Sequence, residues 1–149
     1  MLTDKHKAHG VSYGLSEAGY DIRIKQEIRF HRTDRNQRRI YVDDRNAYTE
    51  GVFTLASSIE EFTMPNNLVG IVHDKSTWAR HKLSVFNTVI EPGWTGYLTL
   101  ELVYHGLKPL RIHKGSGIAQ VLFSKLSSNG YYKGKYQNQE NKPVEAIYD

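Results

Sequence analysis

Residues 97–104 read YLTLELVY, the most regular strand pattern in the chain. Side chains of a strand point alternately to its two faces, so the leucines at 98, 100 and 102 share one face, and Glu101 lies on the other with Thr99. Glu101 then either faces water or is covered by another subunit or a ligand. In the second case partial burial raises its pKa and makes it a useful general base. The stretch therefore predicts a core strand with a candidate catalytic carboxylate on its second face.

The rest of the chain follows the same short-strand pattern. Strands rich in Val, Ile, Leu, Thr and Tyr are predicted at 20–24, 39–42, 52–56, 83–90, 110–113 and 118–123. Turn residues at 66–67, 91–93, 105–106, 114–117 and 129–130 give the spacing of a sandwich, jelly roll or small barrel. Residues 32–50 are polar and predict a long loop or hairpin, and only residues 76–81 and the first few residues predict a helical turn. The expected fold class is all-β.

The composition changes after residue 126. The last segment holds Ser, Asn, Gly, Lys, Tyr and Gln with almost no aliphatic residue before Val144, so it is too polar to add a core strand. We therefore expect one β domain over 1–126 and a flexible C-terminal tail over 127–149. The clustered tyrosines and lysines at 131–136 are unusual for a purely disordered end.

Charge and cysteine content narrow the function classes. The 149 residues contain no Cys, which excludes disulfides, cysteine nucleophiles and Cys-ligated zinc, and the seven His show no HExxH spacing. The 20 Lys and Arg exceed the 16 Asp and Glu by four, but acids flank the basic run at 32–39 and no nucleic-acid motif occurs. A modest positive field suits a small polyanion such as a nucleoside triphosphate. We expect a cytoplasmic protein with no zinc, no nucleic-acid partner and no membrane partner.

Residues 74–80, DKSTWAR, place hydroxyls, a lysine and an arginine in one turn after an apolar strand. Backbone N–H groups, hydroxyls and a guanidinium in such a turn can bind phosphate oxygens. A helix capped by Asp74 or Ser76 explains about half of the pattern without any ligand. No Walker loop, dinucleotide fingerprint or GxSxG elbow is present.

Five ordered motifs resemble those of the dCTP deaminase and dUTPase superfamily. They are AGYDIR at 18–23, FTLA at 53–56 with MPNNLVG at 64–70, KSTWAR at 75–80, IEPGWTG at 90–96 and GIAQ at 117–120. Two further features favour the deaminase branch. LEL at 100–102 stands where deaminases have Leu-Glu-Phe, and KYQNQ at 135–139 is similar to their Lys-Tyr-x-x-Gln triphosphate clamp. The sequences of the motifs most resemble those of short, phage-type or prophage-type members.

The resemblance implies a distorted jelly-roll or β-barrel-like subunit of the dUTPase type, in a homotrimer with active sites between subunits. It implies that Glu101 activates a water for attack on C4 of cytosine, that no metal takes part in the chemical step, and that Trp94 is a packing residue. The implied catalytic residues are Glu101, Ser76 and Arg80. The implied substrate-binding residues are Lys75, Thr77, Asn87, Glu91, Gln120, Tyr132, Lys135, Tyr136 and Gln139. Mg²⁺ is expected with the triphosphate, and Asp21 could contact it through a water.

Departures from the family pattern keep other functions open. Glu91 replaces an aspartate, Lys75 replaces an arginine, and Val89 stands where bacterial deaminases have an arginine. The stretch between Arg80 and Glu91 is about two residues shorter than in those deaminases. The alternatives are a dUTP diphosphatase, a bifunctional deaminase and diphosphatase, and a non-catalytic nucleotide-binding regulator.

Overall fold

Strands dominate the computed structural model, which describes residues 1–45 and 47–148. The strands are β1 Lys5–Ala8, β2 Val11–Leu15, β3 Tyr20–Arg23, β4 Ile28–Arg32, β5 Arg38–Val42, β6 Ala47–Glu50, β7 Phe53–Thr63, β8 Leu68–Asp74, β9 Leu83–Val85, β10 Val89–Ile90, β11 Thr95–Tyr104, β12 Leu110–Ile112 and β13 Gly117–Lys125. A single-turn helix, α1, spans Ser76–Arg80. The all-β prediction is confirmed.

The strands form three sheets. The largest has the order β1-β2-β3-β13-β8-β10, the second the order β7-β11-β9, and the third the order β12-β4-β5-β6. Every strand pair in them is antiparallel. Antiparallel sheets bury one face and leave the other available to solvent or to a partner. The strand that carries Glu101, β11, is the central strand of the second sheet.

The core lies between the inner faces of the sheets. Leu100 and Leu102 of β11 are fully buried, as the alternation of 97–104 predicts, and Ile22, Ile28 and Ile118 from the other sheets are buried with them. Three residues of β7, 58–60, bulge opposite Leu98, whose N–H donates to Ser58 Oγ at 2.9 Å. The bulge preserves the alternation of β11, so Glu101 points away from the leucine core.

The structure corrects two of the sequence predictions. The first few residues are not helical, because Lys5–Ala8 pairs with β2, although its polar sequence carries no apolar alternation. Residues 83–90 form two short strands, β9 and β10, rather than one. The loop or hairpin predicted over 32–50 is confirmed as a hairpin arrangement, with antiparallel β4–β5 and β5–β6 pairs, and Asn46 lies outside the described residues. The predicted helical turn at 76–81 is confirmed as α1.

Residues 127–148 add no named strand and fold back along the start of β11. Gln139 forms an isolated parallel β-bridge with Gly96. Tyr97 N donates to Gln139 O at 3.1 Å, and Asn138 N donates to Thr95 O at 2.8 Å. The flexibility of this tail stays a prediction, and its last residue, Asp149, lies outside the described residues. Across the described chain, no helix has the length and apolar character needed to cross a membrane.

Candidate active site

A cleft of about 760 Å³ opens along the second face of β11. Its walls come from β7, from the chain between β9 and β11, and from the tail. Of the predicted site residues, the cleft brings together Asn87, Glu91, Glu101, Tyr132, Tyr136 and Gln139. Its volume is in the range of small-molecule sites.

Glu101 is the half-buried carboxylate of this cleft. Burial raises the pKa of the Glu101 carboxyl above its ordinary value, because transfer out of water disfavours the charged form. The sequence left open whether this face of β11 meets water or is covered. In the structure this chain's own tail contacts Thr99 on this face, and Thr99 and Val103 are buried, whereas cover by another subunit or a ligand stays a prediction. A carboxylate with a raised pKa is a stronger base than an exposed one, as a general base requires.

Asn87 contacts the backbone of β11 on both sides of Leu100. Its Nδ2 donates to Thr99 O at 2.6 Å, and its Oδ1 accepts from Glu101 N at 2.9 Å. The sequence resemblance assigned Asn87 to substrate binding, whereas the structure shows its amide bonded to the strand that carries Glu101.

The tail is fixed over the cleft through the hydroxyl of Thr99. Thr99 Oγ1 accepts from Gln139 Nε2 at 2.8 Å and from Val144 N at 3.0 Å. The Trp94 side chain is buried, and its indole N–H donates to Tyr136 O at 2.6 Å. Trp94 therefore packs and holds the tail, and this placement agrees with the expected packing role.

Two glycines of the IEPGWTG motif leave room for the tail. A Cβ on Gly96 would lie 2.6 Å from Gln139 N, and a Cβ on Gly93 would lie 2.6 Å from Tyr131 Cδ2. Gly93 also has a φ of 75°, which side-chain-bearing residues rarely adopt. A larger residue at either position would displace the tail, which lines the cleft together with Glu101.

A second group of predicted site residues surrounds α1. Ser76, Thr77 and Arg80 are exposed on this helix, which is anchored by the buried Trp78, whose Nε1 donates to Gly117 O at 2.6 Å. The helix cap is Lys75, with no side-chain cap bond. The expectation of Asp74 or Ser76 as the cap is therefore wrong. Asp74 instead accepts from Val85 N at 2.7 Å.

Lys75 and Asp21 form a buried ion pair. Lys75 Nζ lies 2.6 Å from Asp21 Oδ2 and donates to Ser12 Oγ at 3.0 Å. The two side chains are only 10% and 5% exposed. This ion pair joins the start of α1 to β3. The lysine assigned to substrate binding and the carboxylate assigned to a water-mediated Mg²⁺ contact therefore bind each other.

The predicted site residues thus lie in two places on one chain. The cleft holds Glu101, while Ser76, Thr77, Arg80, Lys75, Gln120 and Lys135 are absent from its described lining. Gln120 donates from Nε2 to Ser16 Oγ at 3.0 Å, and Lys135 is exposed with its Nζ 5.8 Å from the centre of the Tyr136 ring. No group of three or more His, Asp or Glu within the described ranges is placed to hold a metal ion.

Sequence reasoning missed other residues of the cleft. Thr99 shares the face of Glu101, and the alternation that placed Glu101 there was sufficient to select it. Arg45 also lines the cleft, but it lies in a polar stretch whose sequence carries no signal of its position. Phe53 and Leu55 reach the cleft from β7.

Comparisons with known proteins identify the family of this chain. A family model described as dCTP deaminase-like matches residues 4–126. The dCTP deaminase of Roseiflexus castenholzii is 40% identical over 145 residues, covering 87% of this chain and 79% of that protein. The dCTP deaminase of Chlamydia abortus is 37% identical over 153 residues, covering 92% and 80%. That of Campylobacter jejuni is 38% identical over 148 residues, covering 87% and 78%.

Solved structures show the fold. The native EIAV dUTPase superposes with a TM-score of 0.56 at 18% identity, covering 89% of this chain and 92% of that chain. The expected dUTPase-type fold is confirmed by this likeness, which at such identity bears on the fold alone. Because the family model spans most of the chain and the deaminases match it at 37–40% identity, this chain belongs to the dCTP deaminase-like family.

Proposed function

We propose that this protein is a dCTP deaminase, which converts dCTP and water to dUTP and ammonia. The observation that carries the proposal is the half-buried Glu101, whose pKa is raised by burial, at the wall of a cleft of nucleotide size. The named relatives support the same activity. We also propose that it acts in the cytoplasm on the free nucleotide, rather than on nucleic acid or a membrane.

Glu101 carries the proton transfers of the proposed reaction. Its carboxylate takes a proton from a water whose oxygen attacks C4 of cytosine. The Glu101 carboxyl returns that proton to N3, which has taken the electron pair of the C4–N3 double bond. The carboxylate then takes the second proton of the water from the C4 hydroxyl and passes it to the exocyclic amino group; the bond from C4 to that group breaks, ammonia leaves and the C4 carbonyl forms. A positioned general base of this kind contributes about 10²- to 10⁴-fold to the rate.

The triphosphate is proposed to lie against α1 of a neighbouring subunit. Ser76 and Thr77 offer hydroxyls, and Arg80 offers a guanidinium suited to bidentate phosphate contacts. All three side chains are exposed but belong to a helix anchored in the core. Lys135, Tyr136 and Gln139 of the tail would hold the same group. Site residues in two places on one chain, one around Glu101 and one around α1, support an active site between subunits.

An apolar row on the largest sheet supports the proposed homotrimer. Ile71 of β8 is paired with Val89 of β10 on one side and with Leu122 of β13 on the other. Val89 is exposed, and Ile71 and Leu122 are half-buried. Three neighbouring apolar side chains on the outer face of a sheet favour contact with another subunit.

Mg²⁺ is proposed as the counter-ion of the triphosphate. It prefers oxygen ligands, keeps several waters and usually binds through substrate phosphates. The pairing of Asp21 with Lys75 does not fit the expected water-mediated contact with Mg²⁺. No step of the proposed reaction runs through the metal.

The activity is tested by incubating the protein with dCTP and with dUTP separately, each with Mg²⁺, and identifying the products. We expect ammonia and dUTP from dCTP, and a Glu101→Gln variant that binds dCTP but turns over at least about 100-fold more slowly. Pyrophosphate from dUTP would indicate a diphosphatase or bifunctional enzyme. Unchanged dCTP with nucleotide still bound would indicate a regulator and refute the proposal.

Mixed subunits test the location of the site. Glu101→Gln and Arg80→Ala proteins are each expected to be nearly inactive, and their equimolar mixture, after dissociation and reassembly, should regain about one quarter of wild-type activity if each site takes one residue from each of two subunits. No recovery in mixed assemblies would place both residues in one subunit. A Leu122→Lys variant should sediment as a smaller species.

A further inference from the structure

We propose that Asn87 is a positioning residue for the Glu101 carboxylate. Its side-chain amide hydrogen-bonds the backbone of β11 where no neighbouring strand pairs with that edge. This inference rests on the proposed function for its kinetic consequence, but its structural basis is independent of any substrate. It replaces the substrate-binding role that the family resemblance implied for Asn87.

The need for such a residue arises where β9 ends. β9 pairs with β11 only from Leu102 to Tyr104, and the ladder continues for one more bond, from Phe86 N to Glu101 O at 2.8 Å. Beyond that point the chain leaves β11. The N–H of Glu101 and the carbonyl of Thr99 then lack a backbone partner on this side, and such groups are costly to leave unpaired when buried.

The Asn87 amide replaces the missing strand. It donates to Thr99 O at 2.6 Å and accepts from Glu101 N at 2.9 Å, the bonds that a neighbouring backbone would make. Both backbone groups of Glu101 on this edge are thereby held by consecutive residues, Phe86 and Asn87. Since Asn87 also lines the cleft, it fixes the strand at the point from which the catalytic carboxylate projects.

The opposite edge of the sheet offers a matched control. Ser57 of β7 pairs with Thr99, and its N–H donates to Gln26 Oε1 at 2.8 Å, while Gln26 Nε2 donates to Ser57 Oγ at 2.9 Å. The side-chain amide of Gln26 therefore accepts from a backbone N–H, as the Asn87 amide does, and the residue it bonds, Ser57, is paired with Thr99 of β11. It is buried away from the cleft lining and makes no bond to Glu101.

The first test measures structure without activity. In Asn87→Ala, the Glu101 amide hydrogen should exchange with solvent at least about tenfold faster than in the wild type, because its acceptor is gone. In Asn87→Asp, the new carboxylate lies next to the backbone of Glu101 and should raise the pKa of the Glu101 carboxyl by like-charge repulsion. The titration is followed by the carbon NMR signal of that carboxyl, which is assigned by its loss in Glu101→Gln. Gln26→Ala should change neither measurement. Unchanged exchange and titration in both Asn87 variants would overturn the proposal.

The second test separates positioning from substrate binding. With dCTP as substrate, Asn87→Ala should lower kcat by about 10- to 100-fold, the scale of a misplaced catalytic group, while KM changes by less than about threefold. The acid limb of the kcat–pH profile should move to higher pH in Asn87→Asp. A raised KM with unchanged kcat would assign Asn87 to substrate binding and overturn positioning.

Failure of the proposed function gives a different result. Wild-type protein that releases no ammonia from dCTP would refute the deaminase, and the exchange and titration measurements would still decide whether Asn87 holds Glu101. If Asn87→Ala does not fold, the titration of Glu101 and the kcat–pH profile of Asn87→Asp still decide, because this variant retains an acceptor for Glu101 N–H.

Discussion

Two ion pairs of equal length but different burial make a stringent stability test. Lys75 and Asp21 lie 2.6 Å apart with side chains 10% and 5% exposed, whereas Lys5 and Glu17 lie 2.6 Å apart with side chains 42% and 84% exposed. Asp21→Asn keeps the side-chain volume but leaves the Lys75 ammonium buried without its counter-charge. Glu17→Gln makes the same chemical change at the surface.

The expected costs differ because water screens only the exposed pair. Removing one partner of a buried pair typically costs about 3–5 kcal/mol. With a denaturant dependence of about 2 kcal/mol per M of urea, Asp21→Asn should lower the urea midpoint by roughly 1.5–2.5 M. Glu17→Gln should leave the midpoint unchanged within error, since many surface pairs contribute nothing measurable.

The assay is urea unfolding followed by circular dichroism at one protein concentration, because the stability of an assembly depends on concentration. Replacing both partners, as Asp21→Leu with Lys75→Met, should recover much of the loss, because no charge is then left buried. Equal and small midpoint shifts for Asp21→Asn and Glu17→Gln would refute the reasoning. Such a result would return Lys75 to the candidate substrate-binding residues.

Two further predictions concern Glu101 and the tail. Burial raises the pKa of the Glu101 carboxyl, so folding favours its protonated form, and the stability this gives at low pH is lost as the pH rises through the raised pKa. Glu101→Gln should therefore raise the melting temperature at pH 7, and the gain should vanish below about pH 4; a gain that is equal at both pH values would contradict this sign. Gly96→Ala places a Cβ 2.6 Å from Gln139 N and should make residues 127–148 more sensitive to protease. Gly115→Ala, also at positive φ but with nothing within 4 Å of its Cβ, should leave tail cleavage unchanged.

The local pattern of the sequence was sufficient to predict the central strand, β11, and the direction of its side chains. Alternation in 97–104 placed Leu100 and Leu102 in the core and Glu101 on the second face, because the side-chain period of a strand is a local property. The one turn of helix at 76–80 was equally visible. β1 was missed because its residues, KHKA, are polar, and its pairing with β2 is made by backbone groups that carry no sequence signature.

The contacts that hold the residues of the candidate site could not be predicted from the local sequence pattern. Lys75 was assigned to substrate binding from the motif in which it stands, but the carboxylate that pairs with it, Asp21, is 54 residues away. Asn87 stands in the middle of an apparently continuous strand, and only the three-dimensional end of β9 shows that its side chain takes over a backbone role. The tail was correctly judged too polar for a core strand, yet its placement depends on space left by Gly93 and Gly96, which only the folded chain reveals.

The bond between the Trp94 indole and the Tyr136 carbonyl gives the protein an intrinsic optical reporter. The chain contains two tryptophans, and the other, Trp78, is bonded to Gly117 within the domain. We expect that lifting the tail removes the carbonyl partner of the Trp94 indole and leaves the bond of Trp78 in place. Emission from Trp94 in a Trp78→Phe background therefore allows opening of the segment over Glu101 to be timed in a stopped-flow instrument and compared with the rate of product formation, without any attached dye.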